Sequence, residues 1–111
     1  MSAADEVIKS DDSKTVSPEP GLARQVMSFN QSVMLVRNKM EAGWVGGAHS
    51  HPHDQVVFVV SGVIQLTVAG VPHALSAGDS LLVAGGTMHQ ASAGQPSVVL
   101  DIFTPYREDY A

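Results

Sequence analysis

The chain has 111 residues, enough for one domain with a core of its own and too few for two. Its 44% apolar and 15% charged residues suit an ordinary globular protein, and a net charge of −5 with six Lys plus Arg argues against nucleic acid, which needs a basic face. Cysteine is absent, the N-terminus lacks the basic-then-apolar order of a secretory signal, and no apolar run approaches the roughly 18 residues that span a bilayer, so a soluble cytoplasmic protein is expected.

Residues 1–21 read as a poorly ordered leader. They are polar, hold most of the negative excess (Asp5, Glu6, Asp11, Asp12 and Glu19 against Lys9 and Lys14), and end in Ser17-Pro18-Glu19-Pro20-Gly21. At most a short helical turn is expected over residues 5–9. The folded domain is then residues 22–111. Within it, short β-type runs separated by glycine predict strands over residues 25–30, 32–40, 55–60, 63–68, 72–75, 80–83, 89–92 and 97–103. Ser61-Gly62 and Ala69-Gly70 are short enough to close hairpins. Many short strands at regular spacing, without a long helix, indicate an all-β sandwich or barrel. Between Ala42 and Leu100 only Asp54 and Asp79 are charged, so this stretch should be closely packed.

The chemistry is concentrated in two glycine-framed segments. The first reads Gly-x5-His-x-His-x3-Gln-x6-Gly from Gly43 through His49, His51 and Gln55 to Gly62. The second reads Gly-x5-Ala-x-Gly-x2-His from Gly78 to His89. Side chains alternate along a strand, so His49 and His51 project to one side, and His89 arrives from a separate strand. Gly46, Gly47 and Pro52 mark the first segment as irregular, as at a barrel rim. A lone histidine would be read as an ordinary surface or core residue. Three in this frame, with a carboxamide, favour one divalent metal ion. Four neutral ligands leave such an ion its full formal charge, which suits Lewis-acid work better than oxygen activation. The donor set is compatible with nickel, zinc, manganese, iron or copper.

The tail is the second informative region. Alternation puts Val99, Asp101 and Phe103 on one face and Val98, Leu100 and Ile102 on the other; the uniformly aliphatic face is expected to be core. An aspartate beside a phenylalanine then suggests a lined cavity. Arg107 is the sole cation after Lys39. Spacing alone leaves two readings for Asp101 and Arg107: partners in that cavity, or a rim salt bridge pinning the C-terminus.

The two glycine-framed segments resemble the paired motifs of the cupin superfamily, which implies a single cupin domain folded as a double-stranded β-helix, or jelly-roll barrel. Three positions depart from the usual pattern: Gln55 replaces a glutamate, Ala84 a proline and Ala93 an asparagine. The segment from His49 to Val56, together with Ala77-Gly78-Asp79-Ser80 and the run from Asp101 to Tyr110, is similar to the KdgF-type pectin-degradation cupins. That resemblance implies His49, His51, Gln55 and His89 as metal ligands and Asp101, Phe103 and Arg107 as further active-site residues. The implied activity is conversion of 4,5-unsaturated uronate monosaccharides, released by pectin or alginate lyases, to linear 5-keto-4-deoxyuronate. On this reading Asp101 is the general acid/base, Arg107 orients it or pairs with the substrate carboxylate, and Phe103 is an apolar wall.

Two other classes compete. One is a different small metal-dependent cupin enzyme (dioxygenase, lyase or isomerase), and the other a non-catalytic sugar-binding cupin. A homodimer is expected because small cupins expose sheet edges. His53 has the parity of a ligand, but Pro52 interrupts its strand, so it is expected near the ligands or exposed. His73 is expected at the surface. Trp44 and Tyr106 are expected at a pocket mouth or in ordinary packing, and Tyr110 at a dimer contact.

Overall fold

The computed structural model describes residues 6–11 and 14–111. Asp5 and Asp12, counted with the leader, lie outside these residues, and residues 6–9 have no helical turn. Ten strands follow: β1 (Thr15–Glu19), β2 (Leu22–Phe29), β3 (Met34–Met40), β4 (Trp44–Val45), β5 (Asp54–Ser61), β6 (Val63–Val68), β7 (Val71–Ser76), β8 (Ser80–Val83), β9 (His89–Ala93) and β10 (Ser97–Thr104). All pairings are antiparallel. One sheet runs β1-β2-β3-β10-β5-β8 and the other β4-β9-β6-β7. The fold is the expected all-β jelly roll. Among the described residues no helix is long and apolar enough to cross a membrane.

The sheet begins earlier than composition suggested. Residues 15–19, assigned to the leader, form β1 and pair with β2 despite being exposed. Backbone hydrogen bonds to an existing edge are enough to extend it, so a polar strand containing Pro18 leaves no apolar signature. The turn forecasts divide. Ala69 and Gly70 both have positive φ (49° and 81°) and join the paired strands β6 and β7, as a two-residue hairpin requires. Ser61-Gly62 closes no hairpin, because β5 pairs with β10 and β8 while β6 pairs with β7 and β9. It is the corner where the chain changes sheets. Gly62 sits there at φ 84°, against Pro96 and Ser97, with no room for a Cβ.

The inner faces follow strand alternation. Val57 and Val59 from β5, Ile64 and Leu66 from β6, and Val99 from β10 are buried in one apolar cluster; Met34, Val36 and Phe103 form a second. The expected core face of β10 is therefore reversed. Val99, Asp101 and Phe103 point inward at 2%, 7% and 2% exposure, whereas Val98, Leu100 and Ile102 are only half-buried on the outside. Alternation shows which side chains share a face but not which face is covered. An inward aspartate is tolerated when donors satisfy it, and here they do.

Candidate metal centre and acid/base site

His49 and His89 are placed by the main chain. Their residues form an antiparallel bridge, His49 N–H donating to the His89 carbonyl (3.0 Å) and His89 N–H to the His49 carbonyl (2.9 Å). The first segment is otherwise irregular, so these histidines do not lie on one continuous strand. The section bearing His51 is held to the turn before β9. Gly86 N–H donates to the His51 carbonyl and Gly85 N–H to Asp54 Oδ1, both at 2.8 Å. Gly85 lies so close to the Pro52 carbonyl that any side chain would overlap it. Asp54 thus has a structural task, as does Asp79, whose Oδ2 accepts the Ser76 N–H.

The three imidazoles share one orientation rule. Nδ1 of His49 contacts the Gly47 carbonyl (2.9 Å), Nδ1 of His51 the His53 carbonyl (3.1 Å) and Nδ1 of His89 the Thr87 carbonyl (2.9 Å). A carbonyl only accepts, so each Nδ1 carries the proton and each neutral ring turns its Nε2 lone pair elsewhere. The three ligand atoms lie within 4.8 Å of one another. His89 Nε2 is buried with no protein partner. Burial holds His51 and His89 below the usual histidine range, favouring their neutral forms.

Gln55, at the start of β5, completes the test of fit. Its Nε2 donates to Asp101 Oδ1 (2.8 Å), which turns Oε1 toward His51 Nε2 at 3.0 Å. With the His51 proton on Nδ1, two lone pairs face each other across this short contact. A cation resolves that arrangement. The donor set also suits one: three imidazoles oriented by backbone carbonyls and an amide oxygen fixed by a carboxylate. The three histidines form a candidate divalent-metal site, and Gln55 adjoins it.

A polar row continues from Gln55 across the sheet. Asp101 stands opposite Val57 on β5 and Val36 on β3; Gln55 and Asn38 are its diagonal neighbours on these strands. Asn38 Nδ2 donates to Asp101 Oδ2 at 2.6 Å, so each carboxylate oxygen receives one N–H. Burial raises the Asp101 pKa above the usual carboxylate range, opposed by Gln55, Asn38 and the positive charge of Arg107. Sequence reasoning missed Asn38. Its signal was the polar break in the inward row Met34, Val36, Asn38, Met40.

Arg107 does not bond Asp101. Its Nε and Nη2 donate to Asp109 at 3.0 and 2.8 Å, a bidentate pair that the sequence reading did not foresee, and its Nη1 is buried without a partner. The guanidinium lies 5.1 Å from the Phe103 ring centre and 4.2 Å from that of Tyr110. Phe103 meets the His51 ring edge-on at 5.7 Å, linking the tail to the imidazoles. His49, Gln55, His89, Asp101, Phe103 and Arg107 all border one cavity of about 630 Å³.

The remaining candidates also have places. His53 is no part of the three-histidine cluster; its Nε2 bonds the Tyr106 carbonyl at 3.1 Å. His73 is exposed on β7. Trp44 borders the cavity, its Nε1 donating to Glu19 Oε1 at 2.9 Å, while Tyr106 stacks on Phe29. Tyr110 packs on Phe103 inside the cavity wall, not on an outer contact surface, because the tail folds back over β2.

Comparison with known proteins agrees with this geometry. Residues 36–103 match the family model described as the cupin domain. The chain is 29% identical over 92 residues to the pectin degradation protein KdgF of Dickeya dadantii strain 3937, covering 81% of this chain and 84% of that one. It superposes on the structure of KdgF from a Halomonas species with a TM-score of 0.91 at 33% identity, covering 96% and 98% of the two chains. The chain belongs to the cupin family, among its KdgF-type members. This cupin also superposes on an RmlC-like cupin from Shewanella frigidimarina NCIMB 400, with a TM-score of 0.93, 32% identity and full coverage of both chains.

Proposed function

We propose that this KdgF-type cupin linearises 4,5-unsaturated uronate monosaccharides from pectin or alginate breakdown, giving 5-keto-4-deoxyuronate. One observation carries the reading most directly: a buried carboxylate, Asp101, is hydrogen-bonded to the carboxamide that adjoins three convergent imidazoles, inside a cavity of monosaccharide scale. Similarity to two KdgF proteins supports it.

The reaction moves one proton and consumes nothing. A proton leaves the anomeric hydroxyl, the bond between C1 and the ring oxygen breaks to give the aldehyde and an enolate, and the enolate gains that proton at C4 to become the ketone. Asp101 carries that proton. Its raised pKa brings it toward the operating range of a general acid/base, while the donors on both oxygens keep it oriented. Gln55 fixes Asp101 relative to the ligand cluster. Arg107, anchored by Asp109, keeps a positive charge beside Asp101 and the developing enolate. Phe103 walls the pocket and excludes water. A divalent ion held by His49, His51, Gln55 and His89 would supply Lewis-acid polarisation of substrate oxygens.

Asp101→Asn tests the acid/base role, since it preserves shape but cannot carry the proton. Freshly prepared unsaturated uronate is mixed with protein and the double-bond absorbance followed. Wild type should accelerate its loss, and chelator and Asp101→Asn should each abolish the acceleration. Wild-type turnover by folded, metal-loaded Asp101→Asn removes Asp101 from the mechanism. Absence of turnover by wild type removes the reaction.

A homodimer in the cytoplasm belongs to the same reading. The dimer is supported by the outer face of the larger sheet, where Phe58, Val60 and Leu82 are exposed at 36%, 47% and 63% beside half-buried Leu100 and Ile102.

A further inference from the structure

We propose that Arg24, on β2, is the residue that grips the carboxylate of an acidic sugar in this cavity, with Arg107 acting as a fixed positive charge. The assignment of a sugar acid rests on the function proposed above.

Arg24 pairs across strands with Asn38, whose side chain bonds Asp101 in the interior, so the two share the inward face of the sheet. It borders the same cavity as His49, His89 and Asp101. Its guanidinium carbon lies 3.8 Å from the ring centre of Tyr110, and that of Arg107 lies 4.2 Å from the same centre. Each is about 4 Å from one point, so the two cations stand within about 8 Å of each other, organised by one phenol ring. The long gap in sequence between residues 24 and 107 is closed by the C-terminal tail folding over β2.

The two arginines differ in what they have left to offer. Arg107 commits Nε and Nη2 to Asp109, and its Nη1 is buried. Its side-on fork is taken by Asp109, and the donors it has left sit on the buried Nη1 and on the already bonded Nη2. Among the described residues no carboxylate lies within ion-pair distance of Arg24, and stacking on Tyr110 restrains the plane of its guanidinium. Planar, restrained and unpaired, it can make the two parallel N–H to oxygen bonds that distinguish a carboxylate from a hydroxyl. Glu19 also borders the cavity, but its Oε1 accepts the Trp44 indole N–H.

Binding and turnover are measured on wild type, Arg24→Met, Arg24→Lys and Arg107→Met, each checked for thermal midpoint and metal content. Calorimetric titration with galacturonate and with galactose reads carboxylate recognition without any reaction. Wild type should favour the acid, and Arg24→Met should lose about 10- to 100-fold in that preference. Arg24→Lys should recover only part of it, having the charge without the fork, and Arg107→Met should retain most of it. With unsaturated uronate, Arg24→Met should show the loss mainly in KM and Arg107→Met mainly in kcat. Unchanged acid preference in folded Arg24→Met, or its loss in Arg107→Met alone, overturns the proposal. Arg24-dependent acid binding without turnover by wild type would leave the clamp standing and remove the linearisation reaction.

Discussion

Asn38→Leu isolates what the polar row contributes to proton transfer. The substitution deletes the 2.6 Å bond from Asn38 Nδ2 to Asp101 Oδ2, leaving Gln55, among the described residues, as the one side-chain donor to the carboxylate. A hydrogen bond to a charged group contributes about 1.5–3 kcal/mol. If that energy falls on the ionised form, its loss moves the Asp101 protonation equilibrium toward the neutral acid by roughly 10- to 150-fold. The sign follows from the chemistry: the lost donor stabilised the carboxylate, so the variant needs higher pH to ionise. Stability should change less. Asn38 Oδ1 is a buried acceptor with no partner, and removing it relieves about 1–3 kcal/mol, which offsets much of the lost bond. Stopped-flow measurement of kcat from pH 5 to 9 should therefore give an acidic limb displaced to higher pH, with activity recovering in alkaline buffer. A profile superimposable on wild type, in protein of equal metal content, would refute the proton-transfer role of Asp101.

Chelation should lower the thermal midpoint by about 10 °C or more, because metal at 100 times its Kd adds about 2.7 kcal/mol to a domain of this size. Metal affinity should fall on acidification as the imidazoles protonate; burial depresses the His51 and His89 pKa values, so the fall should begin at lower pH than for free histidine, as titration across pH 5–7.5 would show. Gly62→Ala should destabilise by more than about 2 kcal/mol in urea, since the residue combines φ 84° with contact against Pro96 and Ser97; an unchanged midpoint would contradict the packing at that corner. Asp109→Ala should cut kcat by freeing Arg107. In wild type, Arg107's bonds hold the Asp109 pKa below the usual carboxylate range, so the pair's contribution to stability is present at neutral pH and lost only when acid falls through that lowered value, which acid unfolding of the two proteins would compare.

The parts that were legible in sequence share a cause. Alternation and glycine spacing are local, and they located eight strands and the three clustered histidines. Both strands they missed, β1 and β4, join sheets through their backbones; β4 has only two residues. The orientation of β10 was misread because its outward residues are as aliphatic as a core strand, so hydrophobicity could not say which face was covered. Asn38 and Asp109 escaped for another reason. Each acts by touching a known residue, one from a neighbouring strand and one from a turn two residues away, and only folded geometry reveals such contacts.

The hydrogen-bond acceptors behind the three imidazoles are all main-chain carbonyls, those of residues 47, 53 and 87. No point substitution can delete a carbonyl, so the aim of the histidines is insulated from side-chain drift. The opposite holds for the carboxamide–carboxylate row, where Gln55, Asp101 and Asn38 orient one another through exchangeable groups. On the function proposed above, the main chain would fix the three imidazoles of the ion site and exchangeable side chains would tune the proton relay, with Gln55 belonging to both. An engineer seeking a new reaction in this fold would vary Asn38 and Asp101 first, because Gln55 ties them to the histidines.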